Sequence, residues 1–321
     1  MKIVQKLILG AISLTTVLSS TAMAADLSSW AITSYQSASG AGLVSYSVVS
    51  NNLKNNITRA EYCELAMNLY KKLTNEDVPT NVGSPFRDTK SLAVAQAYSY
   101  GIVNGTSDDT FTPNRFVTRE EMAKMLISTL TASEVNFNIA DSADTSFVDC
   151  FADGRDVSSW AMSSVSTALD YGLMTGVIDY ELMPHQATSR EQAIVSSNRA
   201  LEAFAGSYDL KALPVISLPE SGANITTKDF DVVWSGVNNV EEYKLVIKNT
   251  NGDPVIEKVL YDNACTITSR ELPNGGYSVI VGAVLPNNEE VFSLPVDFTY
   301  DYASGMDGVV HNILAMADSF K

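Results

Sequence analysis

Cysteine, histidine and positive charge are all scarce in this chain, and each scarcity closes off a class of function. The three cysteines, Cys63, Cys150 and Cys265, are odd in number, widely spaced and outside any Cys-x-x-Cys or Cys/His cluster. They form neither a disulfide framework nor a zinc site and read as small buried hydrophobes, a single Cys63–Cys150 bridge being the alternative. The two histidines, His185 and His311, have no nucleophile and acid beside them in a catalytic order, and no G-x-S-x-G, H-E-x-x-H or P-loop string occurs. The chain is therefore expected not to be an enzyme and to hold no cofactor or metal. Its 21 basic residues face 37 acidic ones, a net charge of −16, and so acidic a chain repels nucleic acid and anionic membranes at long range. Long apolar runs are missing too. The longest, near residues 8–17, is too short to span a bilayer, and no later stretch approaches the roughly 18 residues a span needs.

What is present starts with an export signal. Lys2 and Lys6 precede the apolar run, and Ala22 and Ala24 frame a small-x-small cleavage site, the pattern of a secretory leader over residues 1–24. No cysteine follows that site to carry a lipid, and loss of the two leader lysines deepens the negative charge by two. The whole chain is 45% hydrophobic and 18% charged, a folded composition, and it is long enough for two ordinary domains.

The first of these domains is repetitive. At a constant offset of 71, Gly101 and Gly105 meet Gly172 and Gly176, Asp108 meets Asp179, Phe111 meets Leu182, Pro113 meets Pro184, and Thr118, Arg119, Glu120 and Glu121 meet Ser189, Arg190, Glu191 and Gln192. A third copy lies upstream: Trp30 precedes Gly42 by the spacing that separates Trp160 from Gly172, and Thr58, Arg59 and Glu61 close it. Phe86 and Asp88 open the second copy, and Phe147 and Asp149 are taken to open the third. Each unit reads as helix, loop, helix. Thr58 with Glu61, Thr118 with Glu121 and Ser189 with Gln192 fit capping boxes at the start of the second helix. Neither helix pair buries its apolar stripe alone, whereas three stacked pairs do. A capping box is indifferent to its second residue, and a cation at a helix N-terminus is mildly unfavourable. The recurring Arg59, Arg119 and Arg190 are therefore either anion clamps or ties from one copy to the next.

The string F-x-D, W-A, G-[IL]-[VM]-x-G, D-x-x-[FL]-x-P and T-R-[AE]-E resembles the S-layer homology family over about residues 27–205. That resemblance implies a pseudo-trimeric helical bundle with grooves between repeats, binding a cell-wall polysaccharide that is anionic and often pyruvylated. Carried over, Arg59, Arg119 and Arg190 are the clamps, Trp30 and Trp160 the stacking surfaces, and Gly105 and Gly176 permit close backbone approach. The tryptophans have a second reading as core anchors of the first helix. Thr89 stands at the Trp register of the second copy, and the first copy lacks the D-x-x-F-x-P segment, so one or two working grooves are expected.

Past residue 206 the period changes to two. After a linker at 207–214, segments 230–234, 243–248, 255–260, 266–268, 277–285 and 290–298 alternate between turn signals, the pattern of a β-sandwich over 215–300. Tyr277 after Pro273 resembles the tyrosine corner of fibronectin type III domains, with Trp234 as a core residue. Residues 301–321 carry Met306, Val309, Val310, Ile313, Leu314 and Ala317 at helical spacing, read as an amphipathic tail helix. The resulting expectation is a multidomain chain, a three-repeat helical bundle of about 27–78, 84–135 and 147–205 followed by the sandwich and tail, secreted and held at the cell wall by polysaccharide. Other surface proteins are expected to meet the sandwich or the tail. The competing readings are a self-assembling surface-layer or adhesin subunit and an accessory to wall-glycan hydrolysis.

Overall fold

The computed structural model describes residues 26–141, 145–178, 180–206 and 211–302. The leader, the start of the linker and the apolar tail stripe lie outside the described residues. Among the described residues, seven α-helices occupy the N-terminal part: α1 (Ile32–Gly40), α2 (Tyr46–Val49), α3 (Arg59–Thr74), α4 (Leu92–Ser99), α5 (Arg119–Ala132), α6 (Met162–Asp170) and α7 (Arg190–Phe204). Nine strands follow: β1 (Ile216–Leu218), β2 (Ala223–Ile225), β3 (Asp229–Trp234), β4 (Glu242–Asn249), β5 (Pro254–Leu260), β6 (Ala264–Thr268), β7 (Gly275–Leu285), β8 (Glu289–Phe292) and β9 (Val296–Tyr300). None of the helices is long and apolar enough to cross a membrane.

The long helices α3, α5 and α7 start where local chemistry satisfies their orphan N–H groups. Thr58 Oγ1 accepts from Glu61 N at 3.3 Å while Glu61 takes the Thr58 N–H at 2.8 Å. Thr118 and Glu121 do the same at 3.4 and 3.0 Å, and Ser189 and Gln192 at 3.2 and 3.1 Å. The short helices α1, α4 and α6 run into Gly42, Gly101 and Gly172, at φ of 73°, 69° and 66°, where a side chain would be strained.

The copies interlock in a fixed order. Arg59 N and Ala60 N donate to Arg115 and Pro113 carbonyls of the second copy, and Arg119 N and Glu120 N donate to Gln186 and Pro184 carbonyls of the third. Arg190 N and Glu191 N return to Asn55 and Leu53 carbonyls of the first. Single antiparallel bridges at Asn56–Ser189, Thr58–Phe116 and Thr118–Ala187 tie the three helix starts together. In the same order α3 packs on α4, α5 on α6 and α7 on α1, around a core that includes Leu65, Leu69, Leu126, Leu130, Ile194 and Leu201.

Strands β1, β3 and β6 form one sheet, and β2, β9, β7, β4 and β5 the other, with β8 also on β7. Their inner faces enclose Trp234, Leu245, Ile247, Val279, Val281 and Phe298. The Tyr277 hydroxyl donates to the Pro273 carbonyl at 2.7 Å, closing the corner before β7.

The sandwich is fastened to the helical part along the first copy. Ser39 Oγ accepts from Phe292 N at 2.7 Å and donates to Phe292 O at 3.1 Å, and Tyr35 donates to Ser293 O at 3.1 Å. Phe292 and Ile280 belong to the helical core itself. Beside them Lys248, fully buried, ion-pairs with Asp26 and donates to the Val49 and Asn51 carbonyls at 3.1 and 3.2 Å. Burial drives the Lys248 pKa down, and the adjacent Asp26 carboxylate opposes this.

All three cysteines are free thiols. Only Cys63 is fully buried, with its thiol pushed up to about 12 by the apolar surroundings; Cys150 is exposed and Cys265 partly so, which corrects the expectation of three buried hydrophobes.

Candidate functional site

Two grooves of similar construction open between the copies. In the first, Arg59 reaches from the α3 start into the loop of the second copy, where its Nε donates to Phe111 O at 3.0 Å and its Nη2 to Asn104 O at 2.8 Å. The guanidinium also lies 4.3 Å from the Phe111 ring centroid, within cation–π range. In the second, Arg119 Nε donates to Leu182 O at 2.7 Å and Nη2 to Thr175 O at 2.5 Å. These are the same loop positions at the offset of 71. Both arginines are buried, which lowers their pKa values, that of Arg119 to about 10, so both stay protonated at neutral pH.

One tryptophan lines each of these grooves. Trp160 lines the Arg59 groove together with Gly105, Arg115, Glu121 and Lys124. Trp30 lines the Arg119 groove with Gly176, Gln192, Val195 and Arg199. At 53% and 55% exposure the two indoles are not core anchors. The cavities measure about 630 and 280 Å³, room for one or two sugar rings. Although the chain is strongly acidic, each groove has a surplus of positive charge: Arg59, Arg115 and Lys124 against Glu121 in one, Arg119 and Arg199 with no lining carboxylate in the other.

Carboxylates outside the grooves aim these groups. Asp88 accepts from Phe111 N and Thr112 N at 2.9 and 2.7 Å, and Asp153 accepts from Leu182 N and Met183 N, both at 2.7 Å. Thr112 and Met183 sit at φ of 56° and 51°, a costly conformation for residues with a Cβ. The Asp clasps hold these turns so that the carbonyls of Phe111 and Leu182 meet the arginines. The clasp of the third copy is thus Asp153, not Asp149. Likewise Phe151, not Phe147, takes the place of Phe86. A Cβ on Gly105 would lie 2.6 Å from the Phe86 ring and 2.2 Å from Ser107 O, and one on Gly176 would lie 2.6 Å from the Phe151 ring. Those glycines admit an aromatic ring and a loop carbonyl from the protein itself.

Two further carboxylates escape a motif reading. Glu120 takes the Ser158 N–H and Oγ–H, both at 2.9 Å, and Glu191 takes those of Ser28 at 2.9 and 3.0 Å. Each serine lies two residues before a groove tryptophan, so the buried carboxylate fixes where the indole stands. The signal was in the repeats: where Glu120 and Glu191 occur the clasped segment carries Ser and Trp, whereas Ala60 faces a segment with Arg87 and Thr89.

Arg190 does not build a third groove of this kind. Its Nε and Nη2 donate to Glu61 Oε1 at 3.1 and 2.7 Å, Nη2 also reaches Oε2 at 3.0 Å, and Nη1 reaches Asn52 O at 3.3 Å. The charge is neutralised inside the protein, and Thr89 supplies no ring. Asn52 is covered by the sandwich: a Cβ on Gly252 would lie 2.3 Å from the Asn52 Cβ. Among the described residues no group of His, Cys, Asp and Glu is placed to hold a metal ion.

These features define a helical repeat module with inter-repeat grooves, joined to a β-sandwich. The family model described as "S-layer homology domain" matches residues 87–123 and 151–194, within the second and third copies. Both matched segments take in Asp88 or Asp153 and the following Arg119 or Arg190. The chain is 30% identical over 159 residues to Cell surface glycoprotein 1 of Acetivibrio thermocellus, covering 46% of this chain and 6% of that protein. It is 30% identical over 112 residues to an endoglucanase of a Bacillus species, covering 34% of this chain and 11% of that protein. It thus spans only a small fraction of these relatives. Among solved structures, fibronectin(III)-like modules of Clostridium thermocellum CbhA align with 27% of this chain and 94% of theirs at 17% identity, with a TM-score of 0.23.

Proposed function

We propose that this protein is held at the bacterial cell surface by non-covalent binding of an anionic wall polysaccharide in two grooves, Arg59/Trp160 and Arg119/Trp30, of a pseudo-three-fold helical bundle. The observation that carries the reading is the pairing, twice over, of a buried arginine tethered by loop carbonyls with a half-exposed indole held by a remote carboxylate. An indole face suits a sugar ring, and a cation in a partly dry groove suits an acidic substituent. The surface location is supported by the S-layer homology match and by similarity to a protein named as a cell surface glycoprotein. One of these relatives is named an endoglucanase, but the chain covers only 11% of it, and a non-catalytic anchoring role is proposed here.

The test is retention of purified chain on wall sacculi before and after acid extraction of secondary polymer. Wild type should sediment with polymer-bearing sacculi only, and Trp30→Ala and Trp160→Ala should each weaken sedimentation, together abolishing it. Equal sedimentation with extracted sacculi, or indifference to the double substitution, refutes the reading.

A further inference from the structure

Accounting for the guanidinium donors separates groups that hold the grooves together from groups that remain for a ligand. A guanidinium grips a carboxylate best through two parallel N–H bonds, most often from the Nε–Nη2 edge or from the two Nη groups. In Arg59 and Arg119 the Nε–Nη2 edge is already occupied by two backbone carbonyls. Arg115 is occupied as well, its Nη1 and Nη2 donating to Glu121 at 3.1 and 2.6 Å. Arg59 and Arg119 keep only their Nη1/Nη2 end, whereas two cations have no protein partner among the described residues. Arg199, half-buried in the wall of the Arg119 groove, has no ion pair or hydrogen-bond partner among the described residues, and no carboxylate lines that groove. Lys124, exposed, is the unpaired cation of the Arg59 groove.

We infer that Arg199 and Lys124, rather than the tethered repeat arginines, grip the acidic substituent, and that the two grooves differ in what they accept. This rests on the reading of the grooves as polysaccharide sites. Arg199 lies on α7 at the position matching Ser128 of α5, and Lys124 at the position matching Val195. The free cation therefore stands four residues, about 6 Å, farther along the helix in the Arg119 groove. The acidic group must hang at a different distance from the stacked ring in each. The chemistry differs as well. Arg199 offers an open planar fork, which selects a sugar-borne carboxylate, whereas Lys124 offers a compact point charge with no preference for planar anions. Arg59 and Arg119 contribute their charge and the shape of the loop.

The experiment uses the full chain on polymer-bearing sacculi, with Lys124→Gln present throughout so that the Arg119 groove dominates. Arg199→Gln should weaken retention by about tenfold or more, the size of a lost charge-assisted hydrogen bond, with an unchanged melting temperature. Arg199→Lys should restore only part of the loss, and Arg119→Gln should lower the melting temperature because two loop carbonyls lose their donor. If Arg199→Gln binds like its parent while Trp30→Ala does not, the inference falls and the anchoring reading stands. If Arg199→Lys binds as well as arginine, the carboxylate selectivity is wrong. If wild type itself ignores the polymer, both fall.

Discussion

Replacing Arg190 separates a structural tie from a ligand clamp. Its guanidinium and the Glu61 carboxylate are 7% and 10% exposed at the side chain and 2.7 Å apart. Removing one partner of such a pair leaves a charge without its counterion in a poorly hydrated place, at about 3–5 kcal/mol. Glu61 keeps three other donors, Thr58 N at 2.8 Å, Thr58 Oγ1 at 2.9 Å and Asn51 Nδ2 at 3.2 Å, which places Arg190→Ala near the low end, at about 3 kcal/mol. At about 2–4 °C per kcal/mol for a chain of this class, the melting temperature should fall by about 6–12 °C. The double substitution Arg190→Met with Glu61→Gln should recover most of the loss, because Gln192 already fills the same capping position in the third copy. Thermal unfolding followed by circular dichroism gives the stabilities, and sacculus retention well below the midpoint gives the binding. An Arg190→Ala protein that melts within about 2 °C of wild type, or that loses polymer binding as fully as the Trp30 and Trp160 variants, would refute the assignment of Arg190 as a tie.

Three other perturbations follow from the same geometry. Lys248→Ala strands the buried Asp26 carboxylate and should cost about 3 kcal/mol or more, read as a lower urea midpoint, with Asp26→Ala on top adding little. Phe151→Ala should cost roughly 2 kcal/mol and Phe147→Ala under about 0.5 kcal/mol in chemical denaturation, because only the first ring seats on a groove glycine. Burial opposes ionisation of Glu121, but hydrogen bonds from Arg115 and the Thr118 amide outweigh it and hold the carboxyl below its ordinary range. A depressed carboxyl stabilises the fold above its unfolded pKa and loses that contribution as pH falls. The difference in melting temperature between wild type and Glu121→Gln should therefore be constant near neutrality and shrink below about pH 4.

What the sequence made legible is what is local or periodic. A repeat with no gap over twenty residues announces itself, and a capping box joins residues three apart. Distant partners were hidden. The pair that closes the third groove joins Arg190 to a residue 129 positions away, and nothing in the Thr-Arg-Ala-Glu string around Arg59 says that Glu61 serves a second arginine. Phe147 and Phe151 each precede an Asp by two residues, and only the contact with Gly176 and the Asp153 clasp tell the two strings apart. The split between Arg59, whose Nε–Nη2 edge is taken by loop carbonyls, and Arg199, which has no such tether, depends on where those carbonyls point, and no spacing rule encodes that. The join between the two halves is hidden for a further reason: period-two and helical segments have the pattern of separate modules, and Lys248 inside a strand gives no hint of a partner 222 residues earlier.

That join has a practical meaning for anyone wishing to borrow the helical half as a wall-attachment tag. Cutting the chain after residue 206 would uncover the apolar surface that Ile280 and Phe292 complete, leave Asp26 without its lysine, and strip Ser39 and Tyr35 of their partners. A passenger fused at that point would ride on a sticky, weakened carrier. Fusion beyond Tyr302 keeps the seam intact, so the smallest portable unit here includes the sandwich.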